Sequence, residues 1–104
     1  MNERLLHETV HEKRIIWHKH AFERMMERGL SRNAVIITLL NGQKLEDYPH
    51  DRPLPSALYF CMVMGESVHV VAALDENERN CHVITAYRPD TDHFEDDFKT
   101  RKTP

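Results

Sequence analysis

His20, Arg24 and Arg28 recur at helical spacing in the segment WHKHAFERMMER, residues 17–28. At 100° per residue they fall at about 0°, 40° and 80°, so a helix here carries one imidazole and two guanidiniums in a single strip. An imidazole exchanges protons near neutral pH, and guanidiniums grip phosphate oxygens in bidentate fashion. Thr85, Tyr87 and Arg88 add a hydroxyl, a phenol and a further guanidinium at the end of an apolar stretch. Together these groups suit proton transfer at a phosphate or an oxyanion. The competing account is plain: a solvated charged border with ordinary helix pairs, Lys19–Glu23 and Arg24–Glu27, and a strand end whose polar residues face water.

Other chemistries find less support in the residue types. A metal site would draw on His18 and His20 with His69 or His82, but two residues of spacing separates His18 from His20 on a helix, and no HExxH pattern occurs. No metal or other cofactor is expected. Cys61 and Cys81 lie in apolar strand-like runs, which favours buried free thiols over a disulfide or an activated nucleophile. Three glycines cannot supply a glycine-rich phosphate loop.

The 104 residues suit one small domain, 1–104, and 40% hydrophobic residues suffice for a modest core. The net charge of −3 argues against nucleic-acid binding by bulk charge but not against a local basic cleft. Eight histidines are scattered through the chain. No apolar run approaches the roughly 20 residues of a membrane span, and the charged first residues lack the apolar centre of a secretion signal. The expectation is a cytoplasmic protein without membrane contact.

The elements that must position these residues follow from periodicity. Residues 2–12 form a short helix through Leu5, Leu6, Thr9 and Val10. Residues 14–17 are an extended connector or a minor edge strand. A second helix spans 18–28 and buries Ala21, Phe22, Met25 and Met26, with Gly29 as its stop. Ser31 caps a third helix running to about Asn41, and Leu30 and Val35 form a staple around that cap. Beyond Gly42 the pattern becomes that of strands: a short one at 44–48, then 57–64, 67–74 and 80–87, with a proline-rich loop at 49–55. Val68, Val70, Ala72 and Leu74 form the face under the helices. In 81–88 the two faces are too alike to choose between. Phe94 and Phe98 sit four apart, as in a docked helical turn before a tail that loses order from about residue 99. The fold class is α+β: two or three N-terminal helices on a three- to four-stranded antiparallel sheet. Met25, Phe22, Ile36, Leu40, Val70, Leu74 and Ile84 form the expected core.

The run HAFERMMERGLS at 20–31 resembles the HA..RM.ERGIS signature of a family of small uncharacterised bacterial and archaeal domains. The likeness continues through Asp51-Arg52-Pro53, the strand HVVAALDE at 69–76, VITAYRPD at 83–90, and the tail Phe94…Asp97-Phe98. It covers nearly the whole chain from about Ile15. Phe94 stands where the family pattern carries Trp. The family looks like a remote relative of the RelE-type and barnase/EndoU-like ribonuclease toxins. The resemblance implies a RelE-like fold, RNA as substrate, and a small zinc-finger-type antitoxin as partner. It also implies a metal-independent endoribonuclease acting through His20, Arg24, Thr85, Tyr87 and Arg88. His20 would be the base or acid, Arg24 and Arg88 the phosphate clamp, Tyr87 a proton donor or stacking platform, and Thr85 an orienting group. The alternative is a non-catalytic protein-interaction module of the antitoxin, immunity or regulatory type, which the net negative charge and the acidic Glu95-Asp96-Asp97 would suit.

Overall fold

The computed structural model describes residues 1–103. Three helices, α1 (Glu3–His11), α2 (Lys19–Glu27) and α3 (Arg32–Asn41), accompany five strands. These are β1 (Ile15–Trp17), β2 (Gln43–Tyr48), β3 (Ser56–Val63), β4 (Glu66–Asp75) and β5 (Asn80–Tyr87). The strands form one sheet in the order β1-β5-β4-β3-β2. β2 to β5 run as an antiparallel meander, and β4 and β5 pair as the expected hairpin. The sheet departs from expectation at one edge. Residues 15–17 are a fifth strand, and it runs parallel to β5 with Ile16 opposite His82. The architecture is therefore α+β with a mixed sheet, not an antiparallel one of three or four strands.

Local chemistry explains the helices. Asn2 accepts from the Leu5 amide at the start of α1, and Ser31 accepts from the Ala34 amide at the start of α3. Leu30 and Val35, the staple around the second cap, are both buried. Gly29 takes the left-handed conformation, φ 64°, that ends α2. α1 and α2 pack on β5, and α3 packs on β3 and β4. Beneath them lie Val68, Val70, Ala72 and Leu74, all buried, so the face expected under the helices is the one that packs there. Cys81, Val83 and Ala86 extend the same layer, which settles the facing of β5. Glu3 ties α1 to the sheet: it accepts from the Tyr59 hydroxyl at 2.8 Å and pairs with Lys44 at 2.7 Å.

Two core expectations need correction. Ile84 is 46% exposed, because the β4–β5 register shifts between Val71 and Ala72 and leaves Ile84 as the extra residue of a bulge. Met26 is 64% exposed, since α2 is short and only Ala21 and Met25 of its apolar face are fully covered. Phe22, Ile36 and Leu40 are half-buried, and Met25, Val70 and Leu74 are core. Phe94 and Phe98 form no helical turn. Residues 90–101 cross the sheet in successive turns, with Phe94 bridged to Arg101.

The α3–β2 turn leaves no room for a side chain. A Cβ on Gly42 would lie 2.4 Å from the Thr38 carbonyl oxygen and 2.5 Å from that of Phe60, both main-chain atoms. Gly42→Ala is therefore expected to cost about 1–3 kcal/mol, the usual toll of forcing atoms into a packed site. A denaturant melt within about 0.5 kcal/mol of wild type would contradict this packing.

Candidate functional site

The sheet face turned away from the helices divides into an open half and a covered half. The open half begins with one cross-strand row: Ser56 on β3 opposite Ala73 on β4, and Ala73 opposite His82 on β5. β1 completes the row by placing Ile16 beside His82. Side chains alternate along an extended chain, so His18, two residues after Ile16, returns to the same side. His18 occupies the N-cap position of α2 in an extended conformation, φ −63° and ψ 140°, and its side chain does not cap the helix. Its ring reaches His82 instead, with Nε2 2.8 Å from Nδ1 and ring centroids 5.1 Å apart.

The pair stands at a pocket of about 200 Å³ whose lining includes Asp51, Arg52, Leu54 and Ile84. Ser56 donates to Asp51 Oδ2 at 2.6 Å, fixing the start of the proline-rich loop against β3. Arg52 is exposed, and its guanidinium makes only long bonds to the His50 and Asp51 carbonyls, 3.4 and 3.3 Å. Its charge stays available to a ligand. Burial, and then the neighbouring His18, hold the His82 imidazole below its ordinary value. In the His18–His82 contact one nitrogen donates and the other accepts. His18 Nδ1 and His82 Nε2 are left over for a ligand. A pair holding a single extra proton offers a base and an acid together.

The covered half lies under the tail. His69 on β4 is fully buried; its Nε2–H donates to the Phe98 carbonyl at 2.6 Å, which leaves Nδ1 to accept from the Tyr87 hydroxyl at 3.3 Å. Phe94 packs edge-on against the same imidazole at 4.6 Å, and Lys99 and Arg101 sit over the rings of Phe60 and Phe94. Arg101 also pairs with Glu46 at 3.0 Å, and Tyr48 donates to Glu46 as well. Those two bonds, Tyr48's first, keep the Glu46 carboxyl below its usual range. Burial lowers His69 and raises Tyr87. Chemically this half is rich, but its imidazole is sealed from solvent.

The expected site residues do not gather in one place. His20 lies on the exposed surface of α2, 3.8 Å from Glu23, and Arg24 is exposed on the same helix. Tyr87 belongs to the covered half, and Thr85 lies opposite Val71 between the two halves. Arg88 donates to the Arg28 and Gly29 carbonyls at 2.6 and 3.3 Å and pairs with Glu66 at 2.7 Å, so it closes the C-terminal end of α2 against the β3–β4 hairpin. Among the described residues no hydrogen bond or ion pair joins His20 or Arg24 to Thr85, Tyr87 or Arg88. From the sequence, His18 and His82 stand out only as possible metal ligands. The signal for them was weak: an imidazole at a helix N-cap position, just after a β-branched run. Among the described residues no group of three or more His, Cys, Asp or Glu side chains is placed to hold a metal ion. Burial pushes the Cys81 thiol up to about 12, which makes it a poor nucleophile.

Residues 17–88 match the family DUF4258, a domain of unknown function, and the chain belongs to that family. The match starts one residue before His18 and takes in Arg52, His69 and His82 but not the tail that covers His69. No curated protein matches the chain. No helix among the described residues is long and apolar enough to cross a membrane.

Two imidazoles lowered by burial make stability depend on pH. In the unfolded chain each binds a proton near its ordinary value of 6.5, whereas the folded protein resists binding it. Their contribution is complete above about 6.5 and is lost as the pH falls through the folded-state values. The melting temperature should therefore drop between pH 7.5 and pH 5. His69→Gln, which keeps a donor for the Phe98 carbonyl, should melt lower at pH 7.5 yet lose less on acidification. Equal losses in variant and wild type would show that burial does not hold His69 neutral.

Proposed function

We propose that this protein is a metal-independent endoribonuclease whose acid–base pair is His18 and His82. The observation that carries the reading is the 2.8 Å contact between these imidazoles at the rim of a preformed pocket that also presents Arg52. Cleavage of RNA without a metal needs a base at the 2′-hydroxyl, an acid at the departing 5′-oxygen, and positive charge on the phosphate between them. His82, fixed on a strand and held toward its neutral form, takes the 2′-hydroxyl proton. The resulting oxyanion attacks phosphorus, forming a 2′,3′-cyclic phosphate as the P–O5′ bond breaks. His18 then gives its proton to the 5′-oxygen. Arg52 neutralises the non-bridging oxygens. The phosphate enters by parting the two rings, and His18, which is exposed and lies outside helix and strand, is the one that moves. Arg24, exposed on α2 beyond His18, contributes positive charge for neighbouring phosphates. Thr85 lines the approach between the two halves of the face. The likeness of residues 20–31 and 83–90 to the signatures of small domains allied to RelE-type toxins supports a ribonuclease as the class of activity, while the choice of His18 and His82 rests on their contact. The likeness brings with it a RelE-like fold, a cytoplasmic toxin and a small zinc-finger-type antitoxin as its partner.

A second reading, a non-catalytic protein-interaction module, is favoured by one observation. Met26, Ile37 and Met64 stand exposed around the Gly29–Ser31 turn, and Met64 is 98% exposed. Thioether-rich surfaces adapt readily to protein partners.

One assay separates the two readings. The purified protein is incubated with single-stranded RNA in excess EDTA, and the new termini are analysed. Cleavage leaving 2′,3′-cyclic phosphate ends is expected, with His18→Ala and His82→Ala each slower by about 100-fold or more and each still folded by thermal melt. Arg52→Ala should weaken cleavage less. Intact RNA with the wild-type protein, or folded single variants that cleave at the wild-type rate, would overturn the proposal. In the first case the module reading would take its place.

A further inference from the structure

Strand β1 has a second cavity on its other side. Ile15 and Trp17 pair with Cys81 and Val83, which belong to the helix-facing layer, whereas Ile16 pairs with His82 on the open face. Trp17 therefore looks toward the helices, and His18 directly after it looks into the histidine pocket. Beside Trp17 lies a groove of about 520 Å³ lined also by Lys13, Arg32, Asn33 and Ile36. That volume falls within the range of ordinary ligand sites. Its lining holds two cations and no carboxylate, in a chain of net charge −3. Among the described residues neither Lys13 nor Arg32 pairs with an acidic side chain. Arg32 lies over the Phe22 ring at 5.2 Å, so its guanidinium is held in place without being neutralised. Lys13 adopts φ 60° at the residue that reverses the chain after α1. Glycine would take that conformation with less strain; lysine instead keeps a cation on the rim of the groove.

We infer that this groove is a subsite for single-stranded RNA, in which Trp17 stacks on the base next to the scissile phosphate while Lys13 and Arg32 hold the adjoining phosphates. An aromatic platform bordered by cations is the usual means of gripping an unpaired strand, because every base has a face to stack and every step carries a phosphate. Asn33 adds an amide able to meet a base edge. Since Trp17 and His18 are consecutive, a strand crossing the short edge of β1 passes from the groove to the imidazole pair. Duplex RNA is excluded, because its bases are stacked on each other and cannot reach Trp17. The inference deepens the ribonuclease reading and rests on it for the location of the scissile phosphate.

Trp17 is the sole tryptophan, so its emission reports this groove alone. The full chain is titrated with a single-stranded oligoribonucleotide made 2′-O-methyl throughout, which cannot be cleaved, while Trp17 fluorescence is followed. Saturable quenching is expected, weakening as salt rises. Lys13→Glu and Arg32→Glu should each raise the Kd at least tenfold while melting like the wild type, and a duplex of the same sequence should not quench. Quenching by the single strand without any cleavage of ordinary RNA would support the groove and overturn only the assignment of the imidazoles. Cleavage with unchanged Trp17 emission, or charge-reversed variants that are folded and bind as wild type, would overturn the subsite.

Discussion

The pairing of β1 with β5 is the constraint on which the rest depends. Three residues make a poor strand, and their hold on β5 is reinforced from outside the ladder. The Cys81 amide donates to the Arg14 carbonyl at 2.9 Å, while the Arg14 side chain donates to the carbonyls of Arg79 and Glu78 at 2.7 and 2.9 Å. Without β1, β5 would offer an unpaired edge to solvent and to other chains. With it, β5 becomes an interior strand, packed by α1 and α2 on one face. The same pairing sets Ile16 opposite His82, so that the chain leaving β1 delivers His18 onto an imidazole 64 residues away in sequence. It also separates the two cavities, with Trp17 on one side of the strand and the imidazoles on the other.

Beneath the tail, a different balance holds. His69 is buried, and both of its nitrogens are satisfied by groups that flank it: the Tyr87 hydroxyl on β5 and the Phe98 carbonyl of the tail. Such a buried polar group costs little so long as both bonds persist, and much once either is lost. The tail is thus coupled to the protonation of one side chain. The charges of Glu46 and Arg101 beside it largely answer each other through their own ion pair. The tail closes one half of the sheet face and leaves the other, with its shallow pocket, as the accessible region.

What was legible in the sequence was what short-range chemistry determines. Ser31 and Gly29 mark helix ends because their side chains, or the lack of one, act within three or four residues. The inward set of β4 was readable because four apolar residues alternate against a mixed opposite face. Less could be read where the outcome turned on distant pairing. A three-residue run carries no periodicity, so nothing in Ile15-Ile16-Trp17 distinguishes a connector from a parallel edge strand. Ile84 reads as core until a bulge in β5 turns it outward. His20 stands out in the sequence because Arg24 and Arg28 follow it at helical spacing. With His18 outside the helix at its N-cap, the histidine able to meet a second imidazole is the earlier one. Arg88 looked free for a phosphate, yet its guanidinium is spent on main-chain carbonyls at the end of α2 and on Glu66.

The account rests on His18 and His82 acting as one unit that opens to a phosphate. The most direct measurement is ¹⁵N-detected NMR of the imidazole side chains, with and without a 3′-nucleotide, across the neutral pH range. In the free protein the ring nitrogens of His18 and His82 should report the hydrogen bond between them. On addition of the nucleotide, both rings should shift together, while exposed His20 stays in place. Absence of that hydrogen bond, with neither ring responding to the nucleotide, would contradict the account.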